Sequence, residues 1–244
     1  MIKAKVSVTL LALILLTGCL YPENRKTENR VPYEEQLQSV QTAIEEFQKA
    51  TNGLLPIETK EADTPVYQKY VIDFKRLSPR YLHDVPSTSF EGGGEYMYVL
   101  TDVEKKPTVK LLDVKMTQTI SELRLRIKIY QDEHTYPPYG KVVSSNLYTL
   151  NEKKLGLKSP PTVMSPVTGN SLPLLISSNG EIYVDYRSDF AHILKNTKQK
   201  LKPGENIQDV YWQETPFVPA FSVPYTINKK GEPDFLEKKT SKQE

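Results

Sequence analysis

The chain has 244 residues, which suits one large domain or two small ones. Hydrophobic residues make up 38% of the chain and charged residues 25%, so there is enough apolar content for a folded core and wholesale disorder is excluded. The formal net charge is +2, and without Lys3 and Lys5 the rest of the chain carries 30 basic and 30 acidic side chains. A neutral body argues against nucleic acid as a partner.

The first eighteen residues have the pattern of an export signal. Residues 1–5 are short and basic, and residues 6–16 form a run without charge. A helix of that length rises only about 16 Å, which is too short for a bilayer core of about 30 Å. The basic start, short apolar run and small-residue end predict a signal peptide over residues 1–18, with an uncleaved membrane anchor as the alternative.

The end of this segment, Leu16-Thr17-Gly18-Cys19, resembles the lipobox of bacterial lipoproteins, in which an aliphatic residue, a small residue and Gly or Ala precede Cys. The resemblance implies diacylglycerol on the Cys19 thiol, cleavage after Gly18 and an acyl chain on the new amino group. Two or three acyl chains anchor a protein stably, whereas one holds it weakly. Cys19 is the only cysteine, so an intramolecular disulfide is excluded.

Location and tether follow from this resemblance. We expect a membrane anchor through lipid on Cys19, on the outer face of the cytoplasmic membrane, with a Gram-positive source favoured. Residues 19–31 are polar and predict a flexible tether, and residues 226–244 predict a disordered tail. The Lys-rich, Cys-poor body also resembles uncharacterised lipoproteins of Gram-positive spore-forming bacteria, a likeness of style that implies location alone.

Two amphipathic helices are predicted in the body, one from about Pro32 to Thr51 and one from about Thr117 to Glu133. Asn52-Gly53 predicts the end of the first, and Thr119 with Glu122 predicts a capping box at the start of the second. Their apolar stripes coincide at an offset of 83 residues: Leu37, Val40, Ile44 and Phe47 in the first helix, and Ile120, Leu123, Ile127 and Tyr130 in the second.

The similarity of the two halves extends beyond the helices. Gly94-Glu95 and Gly180-Glu181 each precede an apolar segment that contains tyrosine. We therefore predict an α+β fold of two similar units, 32–114 and 115–225, each an amphipathic helix followed by a small antiparallel sheet. Chance likeness of two helices is the alternative. Further predicted strands are Tyr67–Phe74, Thr108–Val114 and Leu172–Ser177, and predicted hairpins lie at Glu91–Glu95 and Ser178–Gly180.

The search for chemistry finds no catalytic motif. His83, His134 and His192 lack metal-ligand spacing, and we expect each to be exposed or satisfied by neighbours. Residues 92–94 are three glycines followed by Glu95, whose charge would repel phosphate, so a turn is favoured over a phosphate loop. We predict no catalytic residue, no metal and no cofactor.

The segment Tyr211–Tyr225 is dense in aromatic residues and proline and is predicted to be extended. Trp212, Phe217 and Phe221 would form an interaction surface if they are exposed. The alternative is that this segment, Tyr211–Tyr225, is a C-terminal strap packed over the core. Three functions stay open: a non-enzymatic scaffold or binding module for an envelope protein or wall polymer, a solute-binding lipoprotein of a transporter, and an envelope hydrolase with a dispersed site.

Overall fold

The computed structural model describes residues 31–237. The predictions for the signal peptide, Cys19, nearly all of the tether and the last seven residues of the tail lie outside this range. From residue 36 onward the chain forms one compact unit, and its mixture of helices and small antiparallel sheets confirms the predicted α+β class. Between residues 31 and 237 there is no helix with the length and apolar character needed to cross a membrane.

The helices and strands alternate along the chain. The helices are α1 Val31–Ala50, α2 Val66–Lys69, α3 Phe74–Leu77, α4 Val114–His134, α5 Arg187–Ile193 and α6 Gln208–Glu214. The strands are β1 Tyr96–Thr101, β2 Thr108–Asp113, β3 Tyr139–Ser144, β4 Leu147–Leu150, β5 Thr162–Met164, β6 Ser171–Ser177, β7 Ile182–Val184, β8 Tyr225–Ile227 and β9 Pro233–Phe235.

The first predicted helix is confirmed by α1. Val40 and Ile44 on its apolar stripe are fully buried. The helix stops where Asn52 and Gly53 adopt left-handed backbone angles, with φ of 55° and 92°, and the Gly53 amide donates to the Gln48 carbonyl. Such a left-handed end satisfies carbonyls that the last turn leaves unpaired.

The second predicted helix is confirmed by α4, but its predicted start is wrong. The helix begins at Val114, because the Asp113 carboxylate at the end of β2 accepts a hydrogen bond from the Met116 amide and caps the first turn. Thr119 therefore lies inside the helix, where its hydroxyl donates to the Lys115 carbonyl, and the predicted capping box is wrong. The predicted stripe is buried at all four positions: Ile120, Leu123, Ile127 and Tyr130.

The first sheet is the β1–β2 hairpin, extended on the β1 side by two short bridges. Val71 pairs with Val99, and Ile72 pairs with Ile57. The predicted strand Tyr67–Phe74 is therefore wrong except at two residues. Helical turns replace its ends, because Pro65 precedes α2 and the Asp73 carboxylate caps α3 by accepting from the Lys75 amide.

The second sheet has the strand order β3-β4-β6-β5, and β7 also pairs with β6. The predicted strand near Leu172 is confirmed by β6, and the predicted strand near Thr108 by β2. The predicted hairpin at Ser178–Gly180 is confirmed as well. Gly180, at φ of 86°, donates its amide proton to the Ser177 carbonyl and reverses the chain between β6 and β7.

The two predicted units, 32–114 and 115–225, have their strand segments in the same order. After α1, the segments at Ile57, Ile72, β1 and β2 pair antiparallel in sequence order. After α4, the strands β3, β4, β6 and β7 do the same. The predicted equivalence of the two Gly-Glu pairs is wrong, because Gly94 precedes the third segment of its unit and Gly180 precedes the fourth.

The glycine run before β1 packs tightly against backbone. A Cβ on Gly94 would lie 2.2 Å from the Thr88 carbonyl oxygen, and one on Gly92 would lie 2.2 Å from that of Pro86. The predicted hairpin at Glu91–Glu95 is wrong, since Ser89 and Tyr96 at the ends of this turn form a parallel bridge. Glycine is needed here for close packing of the loop.

The strap is confirmed, and the exposed aromatic surface is wrong for two of its three rings. The side chains of Phe217 and Phe221 are only 2% and 9% exposed, whereas Trp212 is half-buried. The reason is that the strap backbone completes both sheets. The Leu111 amide of β2 donates to the Pro216 carbonyl at 2.9 Å, and the Val184 amide of β7 donates to the Phe221 carbonyl at 2.9 Å.

Two further predictions for the C-terminal part of the chain are wrong in part. Residues 211–214 are helical, as part of α6, so the aromatic segment is extended only beyond them. The predicted disordered tail is wrong as far as residue 237, because β8 and β9 form a hairpin. Phe235 anchors this hairpin, with its ring 5.4 Å from the Tyr225 ring and the Arg187 guanidinium 4.4 Å from its centroid.

Candidate functional site

A cleft with a volume of about 670 Å³ lies between residues of the two predicted units, 32–114 and 115–225. We call it the main cleft. The residues of α2 and the turn before it form one wall, while α4, β7, α6 and the strap form the rest. Its lining comprises Asp63, Pro65, Val66, Tyr67, Gln68, Arg124, Glu181, Ile182, Tyr183, Gln208, Phe221 and Ser222.

An ion pair crosses the far wall of the main cleft. The Arg124 Nη2 atom lies 3.5 Å from Glu181 Oε2, and their side chains are 46% and 54% exposed. The guanidinium also lies 5.4 Å from the centroid of the Phe221 ring. The aromatic ring and the carboxylate together hold the guanidinium at the cleft, while its planar fork keeps further N–H donors for a bound group.

The opposite wall carries an amide without a partner. The Gln68 Nε2 atom is buried and has no hydrogen-bond acceptor within the described part of the chain. An unsatisfied buried donor costs about 1–3 kcal/mol, so an acceptor on a bound molecule would gain from meeting this amide. The Gln68 side chain lines the main cleft, and its Nε2 atom would have to become accessible before a bound molecule could accept from it.

The tyrosines of the cleft stay protonated at neutral pH. Burial raises the pKa of Tyr183, and nearby Glu181 raises it further while Arg124 lowers it. Burial also raises the pKa of Tyr67, and the charge of Asp209 adds to the effect. Both phenols therefore remain neutral hydrogen-bonding groups.

A second concavity, which we call the side pocket, lies on the other side of α2 and has a volume of about 330 Å³. It shares Val66 and Tyr67 with the main cleft. Asp209 Oδ1 accepts hydrogen bonds from the Tyr67 hydroxyl at 3.4 Å and from Trp212 Nε1 at 2.9 Å. Trp212, the half-buried member of the predicted aromatic surface, thus belongs to this pocket.

Residues 33–113 match the YphF family N-terminal domain. This match covers about a third of the chain, ends with β2 and carries no activity in its description, so it says only what the first unit is similar to. No curated protein and no solved structure shows significant similarity to the chain.

The YphF-like region supplies only part of each concavity. Within its span lie the α2 wall of the main cleft and the β1–β2 turn of the side pocket. Arg124, Glu181 and Trp212 lie beyond its end. The lining of both concavities therefore includes residues of the second unit.

The histidines agree with the sequence interpretation that each is exposed or satisfied. The His83 side chain is 95% exposed, and the His134 ring stacks on Tyr130 with centroids 4.0 Å apart. His83 Nδ1 lies 2.7 Å from Asp84 Oδ2, because these two residues sit in a bend and their side chains do not diverge. In the range from 31 to 237, no group of three or more His, Cys, Asp or Glu side chains is placed to hold a metal ion.

Sequence reasoning missed a buried polar cluster around Asp189 of α5. Asp189 is fully buried, and its carboxylate accepts hydrogen bonds from Ser165 Oγ at 2.7 Å, Thr168 Oγ1 at 2.8 Å and the Tyr211 hydroxyl at 2.9 Å. Burial raises the pKa of Tyr211 well above its ordinary value, so the phenol keeps the proton that it donates. The partners lie more than twenty positions from Asp189 in the sequence, and no local pattern could have indicated them.

Proposed function

We propose that this chain is an extracytoplasmic lipoprotein, held at the outer face of the cytoplasmic membrane by lipid on Cys19, whose body is a non-enzymatic binding module for another component of the cell envelope. The lipobox supports the anchor. The observation that carries the binding role is the main cleft, in which Arg124 is positioned over an aromatic ring, opposite a wall that includes Gln68, whose buried amide has no acceptor among the described residues.

The main cleft has the size and composition of a binding site. Ligand pockets in proteins usually enclose roughly 300–1,000 Å³ and combine apolar walls with a few placed polar groups. Here Val66, Ile182 and Phe221 provide apolar wall, while Arg124 and Gln68 provide donors. An envelope protein or wall polymer rich in hydrogen-bond acceptors would satisfy both donors.

The binding role predicts a specific loss on changing Arg124. A body starting at residue 20 should be retained by isolated Gram-positive envelope fractions, and Arg124→Gln should weaken retention about tenfold, since a hydrogen bond to a charged group contributes about 1.5–3 kcal/mol. Retention is measured by co-sedimentation over a range of envelope concentrations, with wall and membrane fractions tested separately.

Arg126→Gln is the matched control, because Arg126 is an exposed arginine on the same helix and does not line the main cleft. It should leave retention unchanged. Equal retention of wild-type and Arg124→Gln bodies, or no retention of either, would count against the proposal.

The anchor predicts that Cys19→Ala abolishes incorporation of radiolabelled palmitate and leaves an uncleaved precursor, because the thiol is the acceptor for the diacylglycerol group. Labelling of the full chain in a bacterial host, followed by gel electrophoresis, measures both effects. Leu20→Ala, one position beyond the lipobox, should still be labelled and processed. Normal labelling of Cys19→Ala would refute the anchor.

The solute-binding alternative draws on the same cleft. A small metabolite that binds the folded body alone would raise its Tm by mass action, so a thermal-shift screen separates this alternative from a macromolecular partner. The hydrolase alternative gains no support from the residues that the structure describes.

A further inference from the structure

The side pocket has aromatic walls that the proposed function does not use. Tyr67, Tyr70 and Trp212 line it, together with the β1–β2 turn. The faces of aromatic rings carry negative charge density and attract organic cations, and tryptophan does so most strongly. Three such rings around one space of about 330 Å³ are typical of a site for a cationic group.

The charges at the side pocket have the matching sign. Three acidic residues, Asp102, Glu104 and Asp209, line it together with one lysine, Lys105, and they still outnumber the cations when the nearby Lys69 ammonium is included. The Asp209 carboxylate is also held in place, because one of its oxygens accepts from both the Tyr67 hydroxyl and Trp212 Nε1. These two hydrogen bonds fix the carboxylate relative to two of the three rings.

One ring of the side pocket, that of Tyr70, already lies near an ammonium group of the chain. Lys69 Nζ lies 6.0 Å from the centroid of the Tyr70 ring, within the distance at which a cation is attracted to an aromatic face. The same ammonium donates a hydrogen bond to the Ala62 carbonyl at 2.9 Å, and this bond helps to fix its position. The Tyr70 ring thus has one ammonium of the chain near it and also lines the side pocket.

We propose that the side pocket binds the alkylammonium group of a small organic cation. The aromatic walls favour a methylated or alkyl-bearing cation over a hard metal ion, which would require a shell of oxygen ligands. This site is distinct from the main cleft, and binding there needs neither Arg124 nor Glu181. The two concavities share Val66 and Tyr67 of the short helix α2 as lining residues.

Trp212 gives a direct measurement, since it is the only tryptophan in the chain. The body starting at residue 20 is titrated with choline chloride in exchange for sodium chloride at constant ionic strength, and tryptophan emission is followed. We expect a saturable change in emission. The uncharged isostere of choline, 3,3-dimethylbutan-1-ol, should need at least a tenfold higher concentration for the same change.

A second arm identifies the source of the cation. Titration with n-butylammonium chloride measures affinity for a primary ammonium, as on a lysine side chain, and choline measures affinity for a quaternary one. Saturable binding of either cation supports the proposal, and the tighter of the two names the source. An equal response to choline and its neutral isostere would overturn it, as would the absence of any change with both cations.

Variants locate the site. Asp209→Asn should weaken choline binding at least fivefold, and Glu104→Gln should weaken it less, because that carboxylate lies on the exposed turn. Glu214→Gln removes the same charge from the same helix outside the pocket and should have no effect. Circular dichroism checks that each variant is folded. Unchanged binding by both Asp209→Asn and Glu104→Gln would overturn the assignment, whereas Arg124→Gln should keep choline binding even if it loses envelope retention.

Discussion

Asp189→Ala is expected to lower the free energy of unfolding by about 3–5 kcal/mol, because three hydroxyl donors lose their acceptor and an unsatisfied buried donor costs about 1–3 kcal/mol. The truncation leaves the hydroxyls of Ser165, Thr168 and Tyr211 without their acceptor, and two of these residues are almost completely buried. Urea unfolding followed by circular dichroism measures the change. The m-value should stay near that of the wild type, because the surface exposed on unfolding is nearly the same.

Two further variants distinguish this network from a simple packing effect. Tyr211→Phe removes one of the three donors and nothing else, so we expect a loss of about 1 kcal/mol. Asp132→Ala removes an exposed carboxylate and should change stability by less than about 0.5 kcal/mol. If Asp189→Ala cost no more than Tyr211→Phe, the carboxylate would not hold the cluster together.

The strap is the second position where a single change should have a large effect. Phe217 is 2% exposed, and its ring centroid lies 5.4 Å from that of Tyr96 in β1. Phe217→Ala should therefore cost about 3–5 kcal/mol in unfolding free energy, the usual loss for truncating a buried phenylalanine. Urea unfolding monitored in parallel by circular dichroism and by Trp212 fluorescence measures it.

The comparison of the two probes tests the position of the strap between the sheets. Because the strap bonds to β2 in one sheet and to β7 in the other, both probes should report one transition, shifted to lower urea by the same amount. Phe90→Ala is the control, since that ring is 55% exposed and should cost less than about 1 kcal/mol. A loss as small as that of the control would mean that the ring contributes little to holding the strap.

The parts of the fold that could be predicted are those set by local pattern. The stripes of α1 and α4 repeat at helical spacing, and the turn after β6 has the glycine that its backbone angle requires. The start of α4 could not be predicted from Thr119 and Glu122, because the residue that caps the helix is Asp113, which also ends a strand. Helix caps depend on where the preceding element stops.

The segment near Tyr67 shows a different limit. Its apolar and aromatic residues are typical of a strand, yet α2 and α3 interrupt it, and only Val71 and Ile72 pair with neighbours. The burial of Phe217 could not be predicted either, since it depends on the edge of β2, about a hundred positions earlier. Strand propensity describes a half-buried surface, and the rest of the fold decides which surface is buried.

The candidate sites could be predicted from the sequence less well than the helices and strands. The main cleft takes Gln68 from α2, Arg124 from α4 and Glu181 from the turn before β7, so no local motif contains them. Of the predicted aromatic surface, only Trp212 lines a concavity while remaining half-exposed. The shared order of segments in the two units supports a duplication, which stays a proposal because the Gly-Glu pairs that suggested it are not equivalent.

The strap also determines how much of the chain must be present before the first sheet can form in full. The edge of β2 receives its neighbour from residues 216–218, so the YphF-like region has an unfinished sheet until the chain is present to that point. An exposed strand edge without a neighbour is only marginally stable and prone to pair with other chains. If the chain crosses a membrane from its N-terminus, as proposed, we expect the first sheet to stay incomplete until residues 216–218 have also crossed.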